Sequence, residues 1–130
     1  MEINWLAVAT AALSSFLLGG VWYVALFAKA HQSAAGLSDA QMKSGNPALI
    51  LGGSFVLALI ASASFAAFLG PEVDAMTGVL YGFTAGLCWV SASFGINYLF
   101  ERRSLSLFLI NGGYHTLQFT LIGLILGAWR

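Results

Sequence analysis

Residues 47–69 read PALILGGSFVLALIASASFAAFL, an uncharged run of 23 residues. A helix crossing roughly 30 Å of hydrocarbon needs about 20 apolar residues, because each adds about 1.5 Å. Backbone groups in lipid find no water, so such a run must satisfy its own hydrogen bonds as a helix. A barrel strand would show roughly ten residues of alternating polarity, and the chain has no such segment. Three further stretches meet the same length, at about 4–27, 75–100 and 105–129. The expectation is an all-α integral membrane protein, a single four-transmembrane-helix bundle over residues 1–130.

Composition agrees. The chain is 59% hydrophobic and 8% charged, with mean hydropathy +0.86. A soluble domain carries roughly 25% charged residues and cannot hide this much apolar surface at so small a size. Zero net charge gives no reason to expect a nucleic-acid partner. The lone cysteine, Cys88, excludes an internal disulfide and a multi-Cys metal site, and its apolar surroundings predict a buried, inert thiol. A cleaved leader is not expected from the first stretch. Its start, Met1-Glu2-Ile3-Asn4, lacks Lys and Arg, and its apolar run exceeds the roughly 7–15 residues of a signal core.

The connections set the orientation. Residues 28–46 form the longest one, where Ser38-Asp39-Ala40-Gln41 fits a capping box that opens a short helix ended by Gly45, before Asn46-Pro47. Gly70-Pro71-Glu72-Val73-Asp74 is a tight acidic turn, and Glu101-Arg102-Arg103-Ser104 joins the last two spans. Lys29, Lys43, Arg102 and Arg103 share one side. Glu2, Glu72, Asp74 and Arg130 share the other. The positive-inside rule puts the basic loops in the cytoplasm and both termini outside, with Trp5, Trp22, Tyr23, Tyr98 and Trp129 as interface anchors. Lys29, Arg102 and Arg103 are the candidate lipid headgroup contacts.

Small residues recur at helical spacing in every span: Ala7, Ala11, Ser15 and Gly19; Ser54, Ala58, Ser62 and Ala66; Gly78, Gly82 and Gly86, with Ser93 and Asn97 continuing roughly the same stripe; Gly112, Thr116, Thr120, Gly123 and Gly127. Helices in lipid associate through such close backbone contacts. So many rows in a chain this short predict a homo-oligomer. The fourth stretch adds a polar row: Asn111, His115 and Gln118, spaced i, i+4 and i+7, share a face. At 1.5 Å per residue His115 lies about 15 Å into the span, where an ionisable group is a functional-site candidate. Asn97, with Tyr98 and Tyr23, is placed to reach toward it. Polar glue between helices and a path for a small solute or ion are the two readings of this row. No metal or cofactor is expected, because His31 is the only other histidine and lies in the first loop.

Two hairpins of the same orientation are suggested by Leu26-Phe27-Ala28-Lys29 against Leu99-Phe100-Glu101-Arg102. Leu49-Ile50-Leu51-Gly52-Gly53-Ser54 against Leu109-Ile110-Asn111-Gly112-Gly113-Tyr114 suggests the same. Finally, Asn4-Trp5-Leu6-Ala7-Val8, Leu18-Gly19-Gly20-Val21-Trp22-Tyr23, Phe100-Glu101-Arg102-Arg103 and Asn111-Gly112-Gly113-Tyr114-His115 resemble a bacterial domain-of-unknown-function family of small four-helix inner-membrane proteins. The resemblance covers nearly the whole chain and implies the bacterial cytoplasmic membrane, with no substrate or reaction attached. Small multidrug exporters differ, since they rely on an embedded glutamate in their first helix and none stands here between Glu2 and Lys29. The expected function is an oligomeric structural or accessory bundle working through membrane lipids and protein contacts. The alternative is a small transporter or channel lined by Asn111, His115 and Gln118. An enzyme is not expected, because all five carboxylates lie outside the spans and no nucleophile–base spacing is present.

Overall fold

The signals that start helices are used where the sequence writes them. The computed structural model describes residues 2–129, which are helical with no strand among them. Helix α1, Trp5–Gly20, starts where the Asn4 side chain accepts from the Ala7 N–H. It runs on as a π-helical segment, Val21–Leu26, and breaks at Phe27 (φ −120°, ψ 23°). Helix α2, Ala28–Ala35, comes next and is stopped by Gly36 at φ 72°. The capping box of Ser38 and Gln41 then opens α3, Asp39–Ser44. Helix α4, Pro47–Leu69, carries proline at its first turn, behind an Asn46 side chain that accepts from the Ala48 and Leu49 N–H groups. The acidic turn ends on Asp74, which caps α5, Ala75–Thr84, through the Thr77 N–H. A second π-helical segment, Ala85–Ser91, leads without a break into α6, Ala92–Glu101. Arg102, left-handed at φ 59°, turns the chain. Ser104 caps α7, Leu105–Ala128. Arg130, the basic residue assigned to the side of the termini, lies outside the described residues.

Three of the long helical rods, Trp5–Leu26, Pro47–Leu69 and Ala75–Glu101, are long and apolar enough to cross a membrane. The fourth, α7, matches them in length at 24 residues but is not among them. Asn111, Tyr114, His115 and Gln118 dilute its hydropathy. Its position explains how it carries them: α7 is the central element, packed on α5, the second π segment and α1. Helix α4 stands at the edge, leaning on α1 and touching α7 lightly.

The bundle is inside-out relative to a soluble protein. Large apolar side chains such as Leu6, Leu17, Ile60, Leu99 and Phe100 point outward, while Ala7, Ala11, Ser15 and Ser62 are fully buried. Between α5 and α7 there is no room for side chains at all. A Cβ added to Gly78 would stand 2.1 Å from the Gly123 carbonyl oxygen, and one on Gly82 would stand 2.1 Å from that of Phe119. In lipid such backbone contact, not hydrophobic burial, holds helices together.

One expectation is corrected here, and the ground offered for another falls away. The small-residue rows of α1, α5 and α7 are spent within the chain, because α7 sits centrally and meets α1 and α5 on two of its sides. The count of rows therefore no longer argues for a second copy. Cys88 is exposed on the outside of the bundle rather than buried. The second π segment turns Ala85, Gly86 and Ser91 onto α7 and leaves Cys88 facing away.

Candidate intramembrane polar site

A π turn holds one residue more than an α turn, so it rotates the rest of the rod by roughly 100°. The first π segment uses this to bring Trp22 and Tyr23 against α7. Trp22 Nε1 donates to the Ile110 carbonyl at 2.7 Å, and Tyr23 Oη donates to Asn111 Oδ1 at 2.6 Å. Asn111 in turn donates through Nδ2 to Tyr98 Oη, at 2.6 Å. One amide thus links the first rod, α7 and α6.

About two turns further along α7, Gln118 does the same work toward α1. Its Nε2 donates to Ser15 Oγ at 2.7 Å, and its Oε1 lies 2.6 Å from His115 Nδ1. An amide oxygen only accepts, so Nδ1 carries the hydrogen and the neutral ring keeps Nε2 as an acceptor. Tyr114 Oη donates to the Ser15 carbonyl at 2.9 Å. The His115 ring stacks on Phe94 at 5.0 Å and 13° and makes an edge contact with the Tyr114 ring at 4.9 Å. On the flank, Ser91 Oγ donates to the Gly112 carbonyl at 2.7 Å and meets Thr116 Oγ1 at 3.1 Å.

Asn111, His115 and Gln118 therefore do share a face and are bonded into the bundle. Asn97 is not brought to them. It is exposed and lines a separate shallow groove with Trp89, Val90, Ser93 and Phe94. The two neighbours Asn97 and Tyr98 point about 100° apart, and it is Tyr98 that meets α7, through Asn111. Ser15, Ser91 and Tyr114 are members that the row did not announce. Ser15 was visible as one of the small residues of the first span, Tyr114 as part of the Gly-Tyr-His piece, and Ser91 carried no signal.

Beside His115 the bundle is open. A cleft of ≈ 500 Å³ lies between α7, α4 and the first π segment, lined by Tyr23, Ser54, Leu57, Tyr114, His115 and Gln118 among others. Toward the other end of α4 the gap is filled by aromatic rings, Phe65 on Phe119 and Phe68 on Tyr81 and Trp89.

At the basic end, Arg103 Nη1 donates to the Ala35 carbonyl at 3.1 Å, tying the first and third connections together. Its 3.6 Å pairing with Glu101 is exposed and contributes little. Arg102 and Lys29 are exposed as well. No group of three metal-binding side chains occurs among the described residues. His31 packs edge-on against Tyr23 at 5.0 Å, and burial holds its imidazole below the usual 6.5. As pH falls, the unfolded chain then takes up the proton before the folded one does. Stability is therefore expected to fall as pH drops through 6.5 toward the folded value. Thermal unfolding in detergent at pH 7.5 and 5.5 checks this. His31→Gln should lose the part of the drop that this residue supplies, and an unchanged drop would assign it elsewhere.

Residues 6–127 match the family described as "Protein of unknown function (DUF1761)". No curated protein and no solved structure matches the chain.

Proposed function

The chain belongs to the DUF1761 family of proteins of unknown function, and we propose that it is a four-span accessory protein of the bacterial cytoplasmic membrane. In this reading α7 is the fourth span, both termini lie outside the cytoplasm, and the protein acts through lipid and protein contacts, not as an enzyme. One observation carries it. The polar row of α7 is bonded to other rods and within itself: Asn111 to Tyr23 and Tyr98, Gln118 to Ser15 of α1 and to His115 of the same row. Groups committed to holding helices together are poorly suited to line a hydrated path, which is the competing reading of the same row.

The two halves share a plan that supports paired hairpins. In each, the first rod contains a π segment and the second is one uninterrupted α-helix, of 23 residues in α4 and 24 in α7. The homo-oligomer is retained on different ground from the small-residue rows. The outer face of α4 exposes Leu49, Ile50 and Val56, and a Cβ added at Gly52 or Gly53 would meet nothing within 4 Å. A second helix can approach closely there.

Single cysteines test topology and site together. In a Cys88→Ser background, a membrane-impermeant maleimide should label Gln41→Cys only in inside-out vesicles and Glu72→Cys only in spheroplasts. Gln118→Cys should stay unlabelled in both. Gln41→Cys and Glu72→Cys reacting from the same side would end the four-span reading. Labelling of Gln118→Cys would turn the row into a hydrated path.

A further inference from the structure

We propose that the side cleft beside His115 binds a neutral, membrane-dissolved amphiphile bearing a hydroxyl group, and that His115 Nε2 accepts its hydrogen bond. The proposal takes the membrane placement above as its premise, since the cleft opens between α4 and the second π segment, where α4 has no close partner.

The hydrogen-bond inventory of the lining sets the ligand class. The hydrogen of Tyr23 goes to Asn111, that of Tyr114 to the Ser15 carbonyl, and that of Ser54 to the Ile50 carbonyl. The Nδ1 hydrogen of His115 goes to Gln118. These four groups keep acceptor lone pairs, although Tyr114 Oη also has Ser15 Oγ beside it at 3.3 Å. Of them, His115 Nε2 is a ring nitrogen with no partner among the described residues. Phe94 stacks on one face of the imidazole and the Tyr114 ring stands at 71° to it, so the proposed approach of a ligand to Nε2 is in the ring plane. His115 Nε2 accepts a directional O–H and offers nothing to a molecule whose heteroatoms only accept; the second amide hydrogen of Gln118, whose first goes to Ser15, can serve either. No charged side chain lines the cleft, so an ionic headgroup would stay unpaired there. Leu57, Ala58, Val90 and Phe119 supply the apolar wall for the body of the ligand. The volume, ≈ 500 Å³, is that of a small-molecule site.

A pair of probes that differ only in the donor decides the matter: dodecanol and dodecyl methyl ether. Protein carrying ¹⁵N-histidine and His31→Gln, which leaves one histidine signal, is placed in lipid nanodiscs and titrated with each. Dodecanol should bind saturably, about five- to tenfold tighter than the ether, which is one neutral hydrogen bond. It should shift the His115 Nε2 resonance as an acceptor, while the ether should not. His115→Phe should bring dodecanol down to the affinity of the ether. Leu57→Trp fills the cleft from the opposite wall without touching the hydrogen bonds of α7, and should abolish saturable binding of both. Equal affinity for the two probes overturns the proposal, as does a shift that never saturates or that survives Leu57→Trp. The ratio of the two probes does not depend on the labelling of Gln118→Cys, so this site and the accessory reading fail separately.

Discussion

Gly82→Ala is expected to destabilise the bundle by about 3 kcal/mol, at the upper end of what overpacking costs. The added methyl would lie 2.1 Å from the Phe119 carbonyl oxygen and 3.1 Å from the Thr120 Cα. Those atoms are backbone, so no rotamer change relieves the clash and α5 must move off α7. Moving it loosens the neighbouring contacts of Gly78 with Gly123 and of Gly86 with His115 and Thr116, which lie on the same seam. In the dissociated monomer, Gly52→Ala supplies the control with the opposite sign. There the methyl meets nothing within 4 Å, and alanine in a helix is favoured over glycine by about 0.5–1 kcal/mol. Thermal unfolding of the two variants in one detergent should move the midpoint down for Gly82→Ala and slightly up for Gly52→Ala. A Gly82→Ala protein as stable as the parent would mean that α5 and α7 do not meet through bare backbone.

That seam marks how far the sequence could be read. The spacing of Gly78, Gly82 and Gly86, each four residues from the next, says that one face of that rod is flat. It does not say which helix lies on it. Any of the other small-residue rows would fit as well, since all of them are flat for the same reason. The rods were legible for a simpler cause, uncharged stretches of the required length, and the structure adds that Asn46, Asp74 and Ser104 cap their starts. The π segments were not legible, because Val21–Leu26 and Ala85–Ser91 contain no residue that forces a wider turn. They matter, since the rotation they introduce decides that Tyr23 and Ser91 face α7 and Cys88 does not. For the site, spacing alone put Asn111, His115 and Gln118 on one face. Their partners required knowing which helices are neighbours, and Asn97 against Tyr98 is a choice between adjacent positions that periodicity cannot make.

Gln118→Leu is the second substitution expected to have a large effect, a loss of about 2 kcal/mol. Leucine fills much the same space, so the cost is not a cavity. It comes from the groups left behind. His115 Nδ1–H loses its acceptor and Ser15 Oγ, which is fully buried, loses its donor. Polar contacts between helices in lipid often contribute less than about 1 kcal/mol, because the separated helices find other partners. Two features place this one higher. Gln118 is 6% exposed and serves two groups at once, and Ser15 Oγ is held by α1 where, among the described residues, its remaining side-chain hydrogen-bond partner is Tyr114 Oη at 3.3 Å. Ser15→Ala alone should cost less, because the amide of Gln118 can still hold His115. The pair of changes together should cost less than their sum, by about 1 kcal/mol, the signature of residues in one hydrogen-bonded network. Chemical or thermal unfolding of the four proteins in detergent gives this cycle directly. Strict additivity would mean that Gln118 and Ser15 do not touch, and it would detach the polar row of α7 from α1. A Gln118→Leu protein more stable than the parent would mean that the amide is kept at a cost to folding, which is the behaviour of a group retained for a solute rather than for the bundle.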